Sequence, residues 1–151
     1  VMTAADLLRK ENKARLVRVI GTAEKNTSGE IRVHLEQVCK GDPYLRAAYV
    51  FSRLGMFNTK DRNGVLIYLA IKSHKFAIVG DSGINARVGA GFWNDVKDGM
   101  ATDFRAGNFT VGMEKAIVAV GEKLKAFFPY QKDDVNELPD EISYEDNQND
   151  S

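Results

Sequence analysis

Apolar positions along this chain recur in two rhythms, helical and alternating, and each marks out elements. Leu16, Val19, Ile20 and Ala23 fall at helical spacing. Thr3 is placed to cap that helix, with Asp6 three residues on to close a capping box. Asn26, Thr27, Ser28 and Gly29 stop it, Gly29 being suited to the left-handed conformation. Residues 30–38 alternate: Ile31, Val33 and Leu35 point one way, Arg32, His34 and Glu36 the other. This predicts a strand with one wetter face, near a sheet edge. Asp42 then caps a helix with Pro43 at its first position. Tyr44, Ala47, Ala48, Phe51 and Leu54 form its apolar face, and Gly55 ends it. Residues 65–71 are apolar on both faces, which predicts a central strand covered on both sides. After a short turn at 72–74, residues 75–79 return as its antiparallel partner. Val88, Phe92, Val96, Met100 and Phe104 then form a stripe along a helix that Gly107 terminates. Thr110 is placed to cap the last helix, with Glu114 near its first turn. Met113, Ile117, Val120, Leu124 and Phe127 or Phe128 make its buried face, and Pro129 stops it.

The order α-β-α-β-β-α-α predicts a three-layer α/β/α sandwich around a small mixed β-sheet. If strands 30–38 and 65–71 are parallel, the helix between them is a right-handed crossover. At 151 residues, one domain is expected over 1–142, followed by an acidic, disordered tail over 143–151. No apolar run approaches the roughly 18 residues that span a bilayer, and the first twelve residues are polar, so a cytoplasmic protein without direct membrane insertion is expected. The single cysteine, Cys39, cannot build a disulfide or a thiolate zinc site within one chain, and reads as a small, semi-buried residue after a strand. Net charge is zero but segregated. Residues 129–151 carry eight acids against one base, leaving 13 acids and 20 bases in residues 1–128. The tail either folds over a basic face or stays solvated. Basic residues in the body are scattered and not interleaved with aromatics, so no nucleic-acid partner is expected.

Several short motifs fail on inspection. Gly80, Asp81, Ser82 and Gly83 read like a serine-protease nucleophile loop, but neither His34 nor His74 has the setting of a base. His34 reads as a surface strand residue and His74 as a turn residue. Gly89, Ala90 and Gly91 lack a third glycine at the required place, since Asn94 occupies it, and they do not follow a strand.

Three acids at turns are more informative. Glu30 opens one strand, Asp61 precedes the next, and Asp81 closes the third. With the strands wired as above, all three reach one end of the sheet. Converging carboxylates require a divalent cation, an arginine or a shared proton among them. An all-oxygen ligand set of Glu30, Asp61 and Asp81 selects Ca²⁺ or Mg²⁺ over Zn²⁺. Arg62 and Arg87 are the candidates for compensating charge or for contacting an anion. Plainer readings also exist: Asp81 in an Asx turn over Gly83, Asp61 in a simple turn, Glu30 paired with Arg62 or Arg87.

The stretches TSGEIRV at 27–33, RNGVLIY at 62–68, KFAIVGD at 75–81, ARVG at 86–89 and FRAGNF at 104–109 resemble the TPM-domain family. With NELP at 136–139, the chain is similar to its short, stand-alone bacterial members. The resemblance implies an α/β/α sandwich and, from thylakoid-lumen members associated with photosystem II repair, acid phosphatase activity and divalent metal binding. Many bacterial members are membrane-tethered. Glu30, Asp61 and Asp81 lie on positions that resemble the family's acidic cluster. The expected function is therefore a metal-binding interaction or regulatory module acting through an unidentified protein partner, for which the family's habits allow a membrane-associated one. The alternative is a metal-assisted acid phosphatase acting on phosphomonoesters.

Overall fold

A computed structural model describes residues 4–130 and 142–148. Its centre is a four-stranded sheet in the order β3-β2-β1-β4. Strand β1 (Glu30–Glu36) runs parallel to β2 (Gly64–Ala70), and β2 pairs antiparallel with β3 (Lys75–Gly80). The apolar run read as central is central: β2 lies between two neighbours and is buried along its whole length.

Period-two alternation gives the sheet two faces. Ile31, Val33, Leu35, Val65, Ile67, Leu69 and Ile78 face the larger layer, built from α1 (Lys10–Glu24), α4 (Ala90–Arg105) and α5 (Phe109–Phe127). Leu66, Tyr68, Ala70, Ala77 and Val79 face the single helix α2 (Pro43–Arg53) through Ala47, Val50 and Phe51. This is the expected α/β/α sandwich around a small mixed sheet. Helices α1 and α5 approach closely enough that a Cβ on Gly121 would lie 2.7 Å from Ala23 Cβ. Arg15 crosses the same pair to Glu114, with contacts of 2.6 and 2.8 Å.

Two expectations about the sheet are corrected. Strand β1 is an interior strand, because Ile142–Glu145 forms β4 and pairs with it in parallel, Val33 opposite Ile142 and Glu36 opposite Glu145. The boundary drawn at 142/143 thus falls inside a strand, and residues 142–148 fold back onto the domain. The polar face of β1 is also not wet. Arg32, His34 and Glu36 are all buried, Glu36 completely.

At the helix ends, Asp42 caps α2 as expected, accepting from Leu45 N at 3.0 Å behind Pro43. Thr3 lies outside the described residues; Ala4–Leu8 is a separate 3₁₀ turn, and α1 starts afresh at Lys10. The left-handed residue after α1 is Asn26 (φ 66°), not Gly29. Gly29 serves close packing instead, since a Cβ there would meet Leu124 at 2.6 Å. Thr110 does not cap α5. It sits inside the first turn, buried, with Asn108 in the capping position.

Candidate functional site

Strand pairing brings two of the three predicted acids, Glu30 and Asp81, to one rim. Parallel register sets Glu30 beside Gly64, and antiparallel register sets Gly80 beside Val65. Asp81 N then donates to Gly64 O at 2.9 Å. Glu30 and Asp81 flank Gly64, and Asp61 lies on the loop that feeds it.

The side chains there are divided among separate partners. Asp81 is buried, and its carboxylate accepts from Arg62 Nε and Nη2 at 2.7 and 2.9 Å. It also accepts from Ser82 N at 2.7 Å, opening the short helix α3 (Ser82–Asn85), so the turn over Gly83 is closed by Arg62 O rather than by an aspartate. This pairing raises the Arg62 pKa, through the hydrogen bond to Asp81 first and charge attraction second. Arg62 is held at φ 50°, a left-handed backbone uncommon for a non-glycine residue. Asp61 Oδ2 accepts from Ser28 Oγ at 3.4 Å, and Asn63 Nδ2 donates to the same hydroxyl at 3.2 Å. Asn63 is 1% exposed, and its Oδ1 is buried with no hydrogen-bond partner. Glu30 is buried, with its backbone N donating to Asn63 O. Arg87 lies over the ring of Phe128 at 6.0 Å. Among the described residues, no three histidine, cysteine, aspartate or glutamate side chains are set to hold a metal together.

Beyond this rim, towards the other end of β1, lies a buried polar network that the sequence reading missed. Glu36 accepts from Arg46 through Nε and Nη2 at 2.9 and 2.7 Å, and from Tyr68 Oη. His34 Nε2 is 3.3 Å from Glu36 Oε1, and its Nδ1 is 2.7 Å from Ser143 Oγ. A proton on Nε2 lets the ring donate to Glu36, while Nδ1 meets the Ser143 hydroxyl. The imidazole stacks on Tyr68 with centroids 6.0 Å apart. Burial works against the Glu36 charge, but hydrogen bonds from His34, Arg46 and Tyr68 outweigh it and hold the carboxyl at about 2. Burial first, then the Glu36 hydrogen bond, push the Tyr68 phenol upward. His34 is therefore a core residue, not a surface one. His74 does sit in a turn, at φ 56°. Cys39 is buried, its thiol 3.5 Å from Gly41 O, in keeping with the plain reading. The available signal was four polar residues in strict alternation beside an all-apolar strand. Once water is excluded, such a face needs hydrogen-bond partners from the protein.

A family model described as TPM domain matches residues 1–123. Among solved structures, the chain is similar to the BA42 protein from the psychrophilic bacterium Bizionia argentinensis, with 45% identity and a TM-score of 0.84 over 91% of this chain and 94% of that one. An N-terminal domain from P. gingivalis shares the fold at 19% identity, with a TM-score of 0.68 over 84% of this chain and 83% of that one. A further N-terminal domain, from Corynebacterium glutamicum, does so at 10% identity and a TM-score of 0.60, over 89% of this chain and 78% of that one. No match among curated proteins is found. Among the described residues no helix is long and apolar enough to cross a membrane. With most of its length matched by the family model and a near relative superposing along almost the whole chain, this protein belongs to the TPM domain family.

Proposed function

We propose that the chain is a binding module that takes a hard divalent cation, Ca²⁺ or Mg²⁺, at the Glu30–Asp61–Asp81 rim, and that Arg62 is the internal competitor for that cation. The observation that carries this reading is the pair of Asp81 and Asn63. A buried carboxylate is neutralised by a guanidinium whose side chain is half exposed, and the residue after that arginine carries a buried amide oxygen that lacks a donor. Hard cations accept carboxylate, amide and backbone carbonyl oxygens together, so three carboxylates are not required. Asp81, Asp61 and the Asn63 amide oxygen would hold the ion, and Glu30 would add charge behind them. The ion would fix the 61–63 loop and so present it to a protein partner.

Calorimetric titration with Ca²⁺ and Mg²⁺ tests this. Asp81→Asn should abolish binding, whereas Arg62→Ala should tighten it several-fold, because a competitor that occupies the site lowers apparent affinity. Weaker or unchanged binding in Arg62→Ala would overturn the competitor role. Unchanged binding in Asp81→Asn with Asp61→Asn would overturn the site.

The exposed Arg62 guanidinium also favours a second reading, a metal-assisted phosphatase in which Arg62 turns to phosphoryl oxygens. There Arg62→Ala should lose hydrolysis of a phosphomonoester measured with metal and with chelator.

A further inference from the structure

Strand β4 is held like a bound ligand. Its backbone lies parallel along the half of β1 that runs from Val33 to Glu36. Every other residue is then gripped by a polar group of the body. Ser143 Oγ meets His34 Nδ1 at 2.7 Å. Glu145 accepts from Arg46 at 2.8 Å and lies 3.3 Å from Arg53. Asn147 Oδ1 accepts from Gln37 N and Val38 N, and its Nδ2 donates to Val38 O at 2.9 Å. The intervening Tyr144 faces outward, with Lys13 over its ring and Gln37 donating to its hydroxyl. Main-chain pairing for affinity, with alternate side chains read for identity, is the pattern of strand addition.

Two further features bear on what this berth can take. The groups around it are basic (Lys13, Arg46, Arg53 and Lys72), while the segment in it is acidic. Beside Asn147 lies a cleft of about 450 Å³, lined also by Val38, Lys40, Asp42, Leu45 and Arg46. Within β4 only Ile142 packs against the apolar core, so release of the strand exposes little apolar surface.

We infer that the outer edge of β1 is a docking groove for an extended acidic segment of a partner protein, with the order hydroxyl–x–acid–x–amide, and that β4 is its built-in occupant. The partner competes with β4 for His34, Arg46, Arg53 and the Gln37–Val38 backbone. This groove is at the opposite end of β1 from Glu30 and does not depend on the cation reading.

The test uses the 151-residue chain and a fluorescein-labelled peptide of the sequence of residues 142–148, followed by fluorescence anisotropy. The intact protein should bind it weakly, because the site is already filled in cis. Glu145→Lys weakens the built-in strand and should tighten peptide binding by about tenfold or more, as the fraction of open site rises. Asn147→Ala releases the same strand without a charge change and should act in the same direction, which guards against misfolding of one variant. The peptide with lysine in place of glutamate should not bind either variant. If neither folded variant binds the peptide, or the lysine peptide binds equally well, the inference fails. Strand-exchanged dimers by light scattering that persist in saturating peptide would also overturn it, by making the occupant a second copy of the chain.

Discussion

The tightest contact at the predicted rim is between backbones. A Cβ on Gly83 would lie 1.9 Å from Asp61 O and 2.6 Å from Arg62 O. Neither oxygen can swing aside as a flexible side chain would. Gly83→Ala should therefore destabilise the protein by about 3 kcal/mol, at the upper end for overpacking, and displace the 61–62 loop. Gly99 is the control. It lies within α4 with nothing within 4 Å of its missing Cβ, so Gly99→Ala should stabilise by about 0.5–1 kcal/mol. Thermal denaturation of the two variants measures both signs. The acids of the rim were legible one by one, because each stands at a strand end. Their pairing was not, because an aspartate that accepts a cation and one that accepts Arg62 look alike in sequence.

Among the elements, β1 and β4 depend on each other. Arg46 on α2 joins Glu36 on β1 to Glu145 on β4, and Glu36 is wholly buried. Arg46→Ala leaves that carboxylate without its main counter-charge, which for a buried pair costs about 3 kcal/mol or more. Urea denaturation should show this loss, and Glu36→Gln on the same background should recover part of it. The four long helices and first three strands could be read from the sequence because each buries apolar residues, whereas the short helix α3 could not. Strand β4 could not. Ile142, Ser143, Tyr144 and Glu145 are too few and too polar to signal a strand, and they form one only because β1 offers an edge and Glu145 pairs with Arg46 and Arg53. The edge placement of β1 failed for the same reason: its alternation was correct, but the strand that pairs along its outer edge comes from a segment more than a hundred residues away.

For the molecule as a whole, the depressed Glu36 carboxyl sets a pH response. Its pKa falls from an ordinary 4.5 to about 2, so the folded state is favoured above 4.5 and that advantage drains away as pH drops towards 2. The contribution is on the order of 3 kcal/mol. Stability measured by urea titration should decline over this window in the native protein, and decline less in Glu36→Gln, which starts lower at neutral pH. One feature of the sandwich also bears on where the protein can be shortened. The region shared with the family model stops at residue 123, yet the chain just past it secures the approach to the rim. Thr27 Oγ1 donates to Leu124 O at 3.0 Å, Ser28 N to Phe128 O at 3.0 Å, and Tyr130 N to Asn26 O at 2.8 Å. Trimming to residues 1–123 would unlatch residues 26–28, strip β1 of its outer neighbour and leave His34 and Glu36 facing water. The smallest self-sufficient unit of this protein is thus longer than the stretch that the family model matches.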